Sequence, residues 1–418
     1  MKILLVNTHD IMGGAARAAY RLHKGLLKDQ IESQYLVAFK HSDDQDIIAP
    51  ETKLAKFMTL SRQSIDQTPL YLYRKKKKEL FSPAWCPTKT HLTINRLNPD
   101  IVHLHWIADG FMRIESLKKI RKPIVWTLHD MWAFTGGCHY DGECGGYQTQ
   151  CGQCPQLKSN KTWDLSRWVH KRKQKAWCNL HFTLVTPSHW LKKCAKESSL
   201  FKNQRIEVIP HGIDTRIFKP IDKALARQTL NLPQEKKMIL FGAMDPIKDT
   251  RKGGRLLQSA LQELSKTQLK EKLEIILFGS SDIKGNITEL NLSVHPLGYF
   301  HDDTSLALLY SAADLFIAPS IQDNLPNTVM ESLSCGTPTV AFNIGGMPDM
   351  IEHKQNGYLA KPFETEDLAN GIKWILENEQ RYKELSQNAR EKAEKEFSIE
   401  LSAKRYINLY QKILENSA

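Results

Sequence analysis

Apolar runs three to six residues long recur along this chain, each followed by a longer stretch of helical period, and that alternation leaves few folds open. Runs this short read as buried strands of a parallel sheet, because helices returning over both faces leave a strand no polar side. Lys2 to Val6, Gln34 to Phe39, Ile101 to His105, Ile124 to Leu128, Phe182 to Thr186 and Ile206 to Ile209 form a first series. After Pro210-His211-Gly212 the pattern restarts with Met238 to Phe241, Leu273 to Phe278, Leu315 to Ile317 and Thr339 to Phe342, interleaved with helical stretches near 254–266, 302–313 and 326–335. A restart implies a second doubly wound unit. The boundary is expected where Phe218-Lys219-Pro220 breaks the periodicity, within 214–223. The predicted architecture is α/β: residues 1–213 as one Rossmann-like domain, 214–395 as a second, and the helical tail 396–418 returning to the first. Two open sheets of this kind are expected to face each other across a cleft.

The 418 residues suffice for two domains. No window approaches the ~20 apolar residues of a membrane span, and the N-terminal apolar run stops at Asn7, too early for a signal-peptide core. The chain is therefore expected in the cytoplasm. Its net charge is +12 but uneven: residues 1–200 hold 31 basic and 17 acidic residues, so that half alone is +14 and the rest −2. A basic half suits nucleic acid, an anionic membrane or a phosphorylated acceptor. No recognisable nucleic-acid reader motif is present. The sharpest basic run, Arg74-Lys75-Lys76-Lys77-Lys78, is flanked by Leu70, Tyr71, Leu72, Tyr73, Leu80 and Phe81. It reads either as a solvated helix face or as a stretch lying along the headgroups at the inner face of a membrane.

Ligands of open parallel sheets bind beyond the carboxyl ends of the strands, so the residues just after each strand carry the chemistry. After the first strand, Gly13-Gly14 opens an Ala-rich helix, where bare backbone can approach a phosphate or sugar. The full G-x-G-x-x-G fingerprint is absent, which disfavours a dinucleotide site. His129 and Asp130 follow the strand at Ile124. In the second half, Lys248, Arg251, Lys252 and Arg255 surround a glycine pair at a helix entry, a set of cations and amides suited to a diphosphate. The block from Pro319 to Ile351 reads as strand, loop, a helix beginning near Pro326, strand and glycine turn; Asp323 sits in its loop and Glu331 in its helix. A third grouping is Cys138, Cys144, Cys151 and Cys154, half of the eight cysteines. Disulfides do not suit a cytoplasmic protein, so these are expected either to hold a structural zinc, with His139 as a spare ligand, or to remain buried thiols.

Taken together, Gly13-Gly14, His129, S-H-W-L at Ser188 to Leu191, I-P-H-G-I-D at Ile209 to Asp214, Lys252-Gly253 and the carboxylate block resemble the retaining glycosyltransferases of family 4, which share the GT-B fold. The resemblance covers nearly the whole length, and its D-N-L-P-N pattern points to the exopolysaccharide and lipopolysaccharide subgroup. It implies transfer of a sugar from a nucleotide-sugar donor to a glycan or lipid-linked acceptor. Lys252 and nearby cations would bind the donor diphosphate and Glu331 its ribose. Asn324-Leu325-Pro326 would offer backbone amides to donor oxygens, and His129 would touch the transferred sugar or its phosphate. No metal or other cofactor is needed for that chemistry. Two departures are Asp323, where the family has Glu, and Ala243, where it has arginine; Lys248 or Arg251 would substitute for the latter. These departures also admit a catalytically silent nucleotide-sugar-binding assembly partner.

Overall fold

The computed structural model describes residues 1–242, 249–279, 292–300 and 302–416. It divides into two compact units: residues 1–210 with 402–418, and residues 211–401. The sequence boundaries, 213/214 and 395/396, thus fall three and six residues from the structural divisions.

The first unit holds seven parallel strands: β1 (Lys2–His9), β2 (Glu32–Phe39), β3 (Ile47–Ile48), β4 (Ile101–Leu104), β5 (Ile124–Thr127), β6 (Phe182–Thr186) and β7 (Arg205–Val208). Their order, β3-β2-β1-β4-β5-β6-β7, reverses between β1 and β4. The helices are α1 (Gly14–Lys28), α2 (Lys53–Asp66), α3 (Thr90–Leu97), α4 (Leu165–Trp177) and α5 (His189–Glu197). Residues alternate across the sheet as strand geometry requires. Leu4, Val6, Val102, Leu104 and Trp126 enter one core, and Ile3, Leu5, Ile101 and Val125 enter the other.

The second unit repeats the plan with β8 (Lys237–Gly242), β9 (Leu273–Phe278), β10 (Ser293–Gly298), β11 (Leu315–Ala318), β12 (Thr339–Phe342) and β13 (Gly357–Ala360). All its pairings are parallel, in the order β10-β9-β8-β11-β12-β13. Its helices are α6 (Lys223–Thr229), α7 (Gly254–Ser265), α8 (Asp303–Ala312), α9 (Asn327–Ser334), α10 (Met347–Met350), α11 (Thr365–Leu376) and α12 (Glu379–Glu396). After a break at Phe397-Ser398, α13 (Ile399–Glu415) leaves the second unit and joins the first. There Ala403, Tyr406, Leu409 and Tyr410 fill the core on the α1 side of the sheet. The attachment is also polar: His103 Nδ1 lies 2.6 Å from Tyr410 Oη, and Thr127 Oγ1 lies 2.8 Å from Tyr406 Oη.

The sequence reading lacked three strands, β3, β10 and β13. It also entertained a helix across the basic run, whereas the chain between the 3-10 turn Thr68–Leu72 and Phe81 is irregular. There Lys76 N donates to Tyr73 O and Lys77 N to Gln156 O. No helix among the described residues is long and apolar enough to cross a membrane.

Candidate active site

In the second unit strand order reverses between β8 and β11, so the crevice beyond their carboxyl ends is where a ligand belongs. Residues 243–248 follow β8, and both Lys248 and Ala243 lie outside the described residues. The chain resumes in a tight turn. Asp249 caps it through Arg251 N (3.0 Å) and holds the Arg251 guanidinium at 2.7 Å. Gly253 then takes φ +72°, with the carbonyl oxygen of Pro319 packed where a Cβ would stand. Ile321 N donates to Arg251 O at 2.7 Å. The Lys252-Gly253 turn is thereby docked onto the loop that follows β11.

That docking brings Lys252 to Asp323: Nζ donates to Oδ2 at 2.7 Å. Ser320 Oγ donates to the same oxygen at 3.3 Å, and Asn324 N donates to Oδ1 at 3.0 Å. Asp323 is only 6% exposed. Burial pushes its carboxyl pKa up, but Lys252 and Arg251 outweigh this and hold it below the usual carboxylate range, so it is ionised. Both glycines of the next turn support the loop. Gly346 N donates to Asp323 O at 3.1 Å, and at Gly345, with φ +54°, a Cβ would collide with that same oxygen. Glu331, on α9, is buried and accepts from Tyr310 Oη at 3.0 Å.

The structure thus brings Lys252, Arg251 and Asp323 together, with Asn324 and Pro326 in the same loop and Glu331 on the helix it leads into. One expectation needs correction. Asn324, Leu325 and Pro326 do not all offer amides: Pro326 has no N–H, and that of Asn324 already donates to Asp323 Oδ1.

In the first unit the corresponding reversal lies between β1 and β4. Gly13 takes φ +94°, and a Cβ there would meet no atom within 4 Å, so its conformation rather than crowding demands glycine. Gly14 starts α1 directly behind it. His129 Nε2 stands 3.0 Å from His105 Nδ1, pairing the residues that follow β5 and β4. Asp130 accepts from Trp132 N at 2.8 Å and Trp106 Nε1 at 3.0 Å, and its Oδ2 lies 2.6 Å from His139 Nδ1. The sequence reading missed His105 and Trp106; their position at the end of the strand from Ile101 was the signal.

Both ring nitrogens of His139 have polar neighbours, the second lying 2.9 Å from Ser82 Oγ. Of the four loop cysteines, Cys138 and Cys154 are buried, Cys151 is half-buried and Cys144 exposed, all reduced. They share one neighbourhood: burial and the three companion thiols push the Cys138 pKa up, and burial with Cys144 and Cys154 pushes that of Cys151 up to about 12. Among the described residues no group of three or more His, Cys, Asp or Glu is placed to hold a metal ion.

Comparison with known proteins supplies the family. A model described as Glycosyltransferase Family 4 matches residues 12–217, and one described as Glycosyl transferases group 1 matches residues 222–392. The putative colanic acid biosynthesis glycosyl transferase WcaC of Escherichia coli K12 is 25% identical over 370 residues, covering 84% of this chain and 85% of that protein. Among solved structures, the sucrose-phosphate synthase of Thermosynechococcus elongatus superimposes with a TM-score of 0.70 at 19% identity, covering 100% of both chains. Anabaena Alr3699/HepE, solved with UDP and glucose, gives 0.64 at 18% identity, covering 98% of this chain and 99% of that one. Two successive family models spanning almost the whole chain, on two Rossmann-like units of the GT-B fold, make this protein a glycosyltransferase of the family 4 type.

Proposed function

We propose that the protein transfers a sugar, with retention of configuration and without a catalytic metal, from a nucleotide-sugar donor to a glycan or lipid-linked acceptor in surface polysaccharide biosynthesis, on the cytoplasmic side of the membrane. The observation that carries the reading is the Lys252–Asp323 pair, held at the carboxyl end of β11 beside Arg251. Loss of a nucleoside diphosphate concentrates negative charge on the leaving phosphate. Preorganised cations stabilise that charge without reorganising. Asp323 keeps the Lys252 ammonium in place before the donor arrives, and an ammonium has three N–H donors, so diphosphate oxygens can share it. Glu331 meets the ribose hydroxyls, and His129, steadied by His105, meets the transferred sugar. The leaving phosphate takes the proton of the acceptor hydroxyl on the same face, which retains configuration. The UDP named in the HepE structure supports a nucleotide donor, and the name of WcaC supports a polysaccharide product. A structural zinc held by Cys138, Cys144, Cys151 and Cys154 belongs to the proposal too; an ion would have to draw the four sulfurs together.

A thermal-shift panel of UDP-, GDP- and ADP-sugars tests the donor. A ligand at 100 times its dissociation constant stabilises by about 2.7 kcal/mol. One nucleotide should raise the melting temperature, and the effect should shrink in Glu331→Gln. No shift with any of the three, together with no donor turnover, would refute the reading. NMR of the product's anomeric proton decides retention.

A further inference from the structure

Helix α2 is built inside out. At 100° per residue, Ala55, Thr59, Arg62, Gln63 and Asp66 share the side that faces the rest of the first unit, and none of these is exposed. The contacts on that side are polar. Gln63 Nε2 donates to Asp109 Oδ2 at 3.2 Å, and Asp66 accepts the backbone N–H groups of Ala84, Trp85 and Cys86. The backbone of Gly110 presses against Arg62 O, which a Cβ would approach to 2.6 Å. The other side carries Leu54, Phe57, Met58 and Ile65, which are 68, 67, 45 and 43% exposed. An ordinary surface helix does the reverse. The apolar strip continues into the turn Thr68–Leu72, where Tyr71 and Leu72 are 72 and 84% exposed.

Charge identifies the occupant. Residues 51–80 carry eight Lys or Arg against three acids, Glu51, Asp66 and Glu79. Asp66 is consumed by backbone donors, and Glu79 lies 4.0 Å from Lys77. A second copy of this chain meeting the same face about a two-fold axis would set these cations against each other. A layer with an apolar interior and anionic headgroups matches both features. We propose that α2 and the turn after it enter an anionic lipid surface, Leu54, Phe57, Met58, Ile65 and Leu72 reaching the acyl boundary while Lys53, Lys56 and the Arg74–Lys78 run engage the headgroups. The basic run visible in the sequence is the electrostatic half of the device; the exposed helix face is the half that only the structure reveals. The proposal deepens the lipid-linked acceptor reading without depending on the donor assignment.

The test is flotation of the full chain with vesicles of mixed phosphatidylglycerol and phosphatidylcholine, with phosphatidylcholine alone as the comparison. Wild type should float with the anionic vesicles and only weakly with the neutral ones, and high salt should reduce the anionic binding. The triple variant Leu54→Ser, Phe57→Ser, Met58→Ser should lose at least ~10-fold in partition while melting as wild type does. Each cation near the surface is worth roughly fivefold, so Gln at Lys75, Lys76, Lys77 and Lys78 should cost at least as much. Wild type failing to float, or the triple variant floating as well as wild type, overturns the proposal. So does a wild-type dimer that the triple variant dissolves with vesicle binding unchanged, which assigns the face to a second copy. The nucleotide-sugar thermal shift, run on the same samples, separates failure of the donor reading from failure of the lipid surface.

Discussion

Asp323 and Lys252 depend on each other, which alters what a substitution does. From the sequence, Lys252 belongs to donor binding and its removal should leave the fold intact. In the structure its ammonium compensates a nearly buried carboxylate. Lys252→Ala should therefore abolish transfer and also destabilise the second unit by about 3–5 kcal/mol, the range for a buried charge that loses its partner. The double variant Lys252→Met, Asp323→Asn should recover most of that stability in urea melts and none of the activity. A loss in the double variant equal to the sum of the losses in Lys252→Met and Asp323→Asn alone would show that the two side chains are not coupled. Asp314 explains why such pairs cannot be sorted from sequence alone. It is equally buried, with Lys223 Nζ and Arg227 Nη2 each at 2.7 Å and the N–H of Met238 at 2.7 Å. Yet it precedes β11 and so lies at the amino edge of the sheet, away from the crevice. The chemistry of the two aspartates is alike, and only the strand between them, Leu315–Ala318, separates framework from site.

At the scale of elements, the most legible strands are those buried on both faces, such as Ile124–Thr127 and Thr339–Phe342, because nothing charged interrupts them. β3 has two residues, and β10 is an edge strand containing His295 and Pro296, so neither presents an apolar run. The break at Phe397-Ser398 was legible because two long helical periods meet there. Invisible in the sequence was the docking of one loop on another. Gly253 is the hinge of that docking, and Gly253→Ala should cost at least ~3 kcal/mol by combining positive-φ strain with a collision against Pro319 O. A urea melt of the variant checks the loss, and donor binding should weaken in parallel because Lys252 can no longer reach its place. The cysteine loop calls for elemental analysis of untagged protein. About one zinc per chain is expected from a single tetrathiolate site, and active protein without zinc would leave the four residues as buried thiols.

The two units of the molecule differ in their sensitivity to acid, and the first unit should fail first. His23, His103 and His170 all belong to it and are fully buried. Burial lowers the pKa of His23 and His170 to about 4 and that of His103 to about 3. In the unfolded chain an imidazole binds its proton near pH 6.5. Between about pH 4 and 6.5 the unfolded state therefore holds more protons than the folded one, and linkage makes stability rise with pH across that window. The stability is complete above about pH 6.5 and is lost on acidification, by up to about 1.4 kcal/mol per pH unit for each group. Paired carboxylates such as Asp323 and Asp314 act in the same direction but only below their ordinary pKa of 3.8, so they leave this window alone. Tryptophan fluorescence is suited to the measurement, because eight of the nine tryptophans lie in the first unit and only Trp374 in the second. Urea midpoints followed by fluorescence should fall steadily from pH 6.5 to pH 4.5. His103→Gln should flatten that slope by close to one proton, since glutamine offers the Tyr410 and Thr127 hydroxyls polar partners without titrating. A slope that the substitution leaves unchanged would mean that His103 is already protonated in the folded protein, and that α13 is attached to the sheet through a cation.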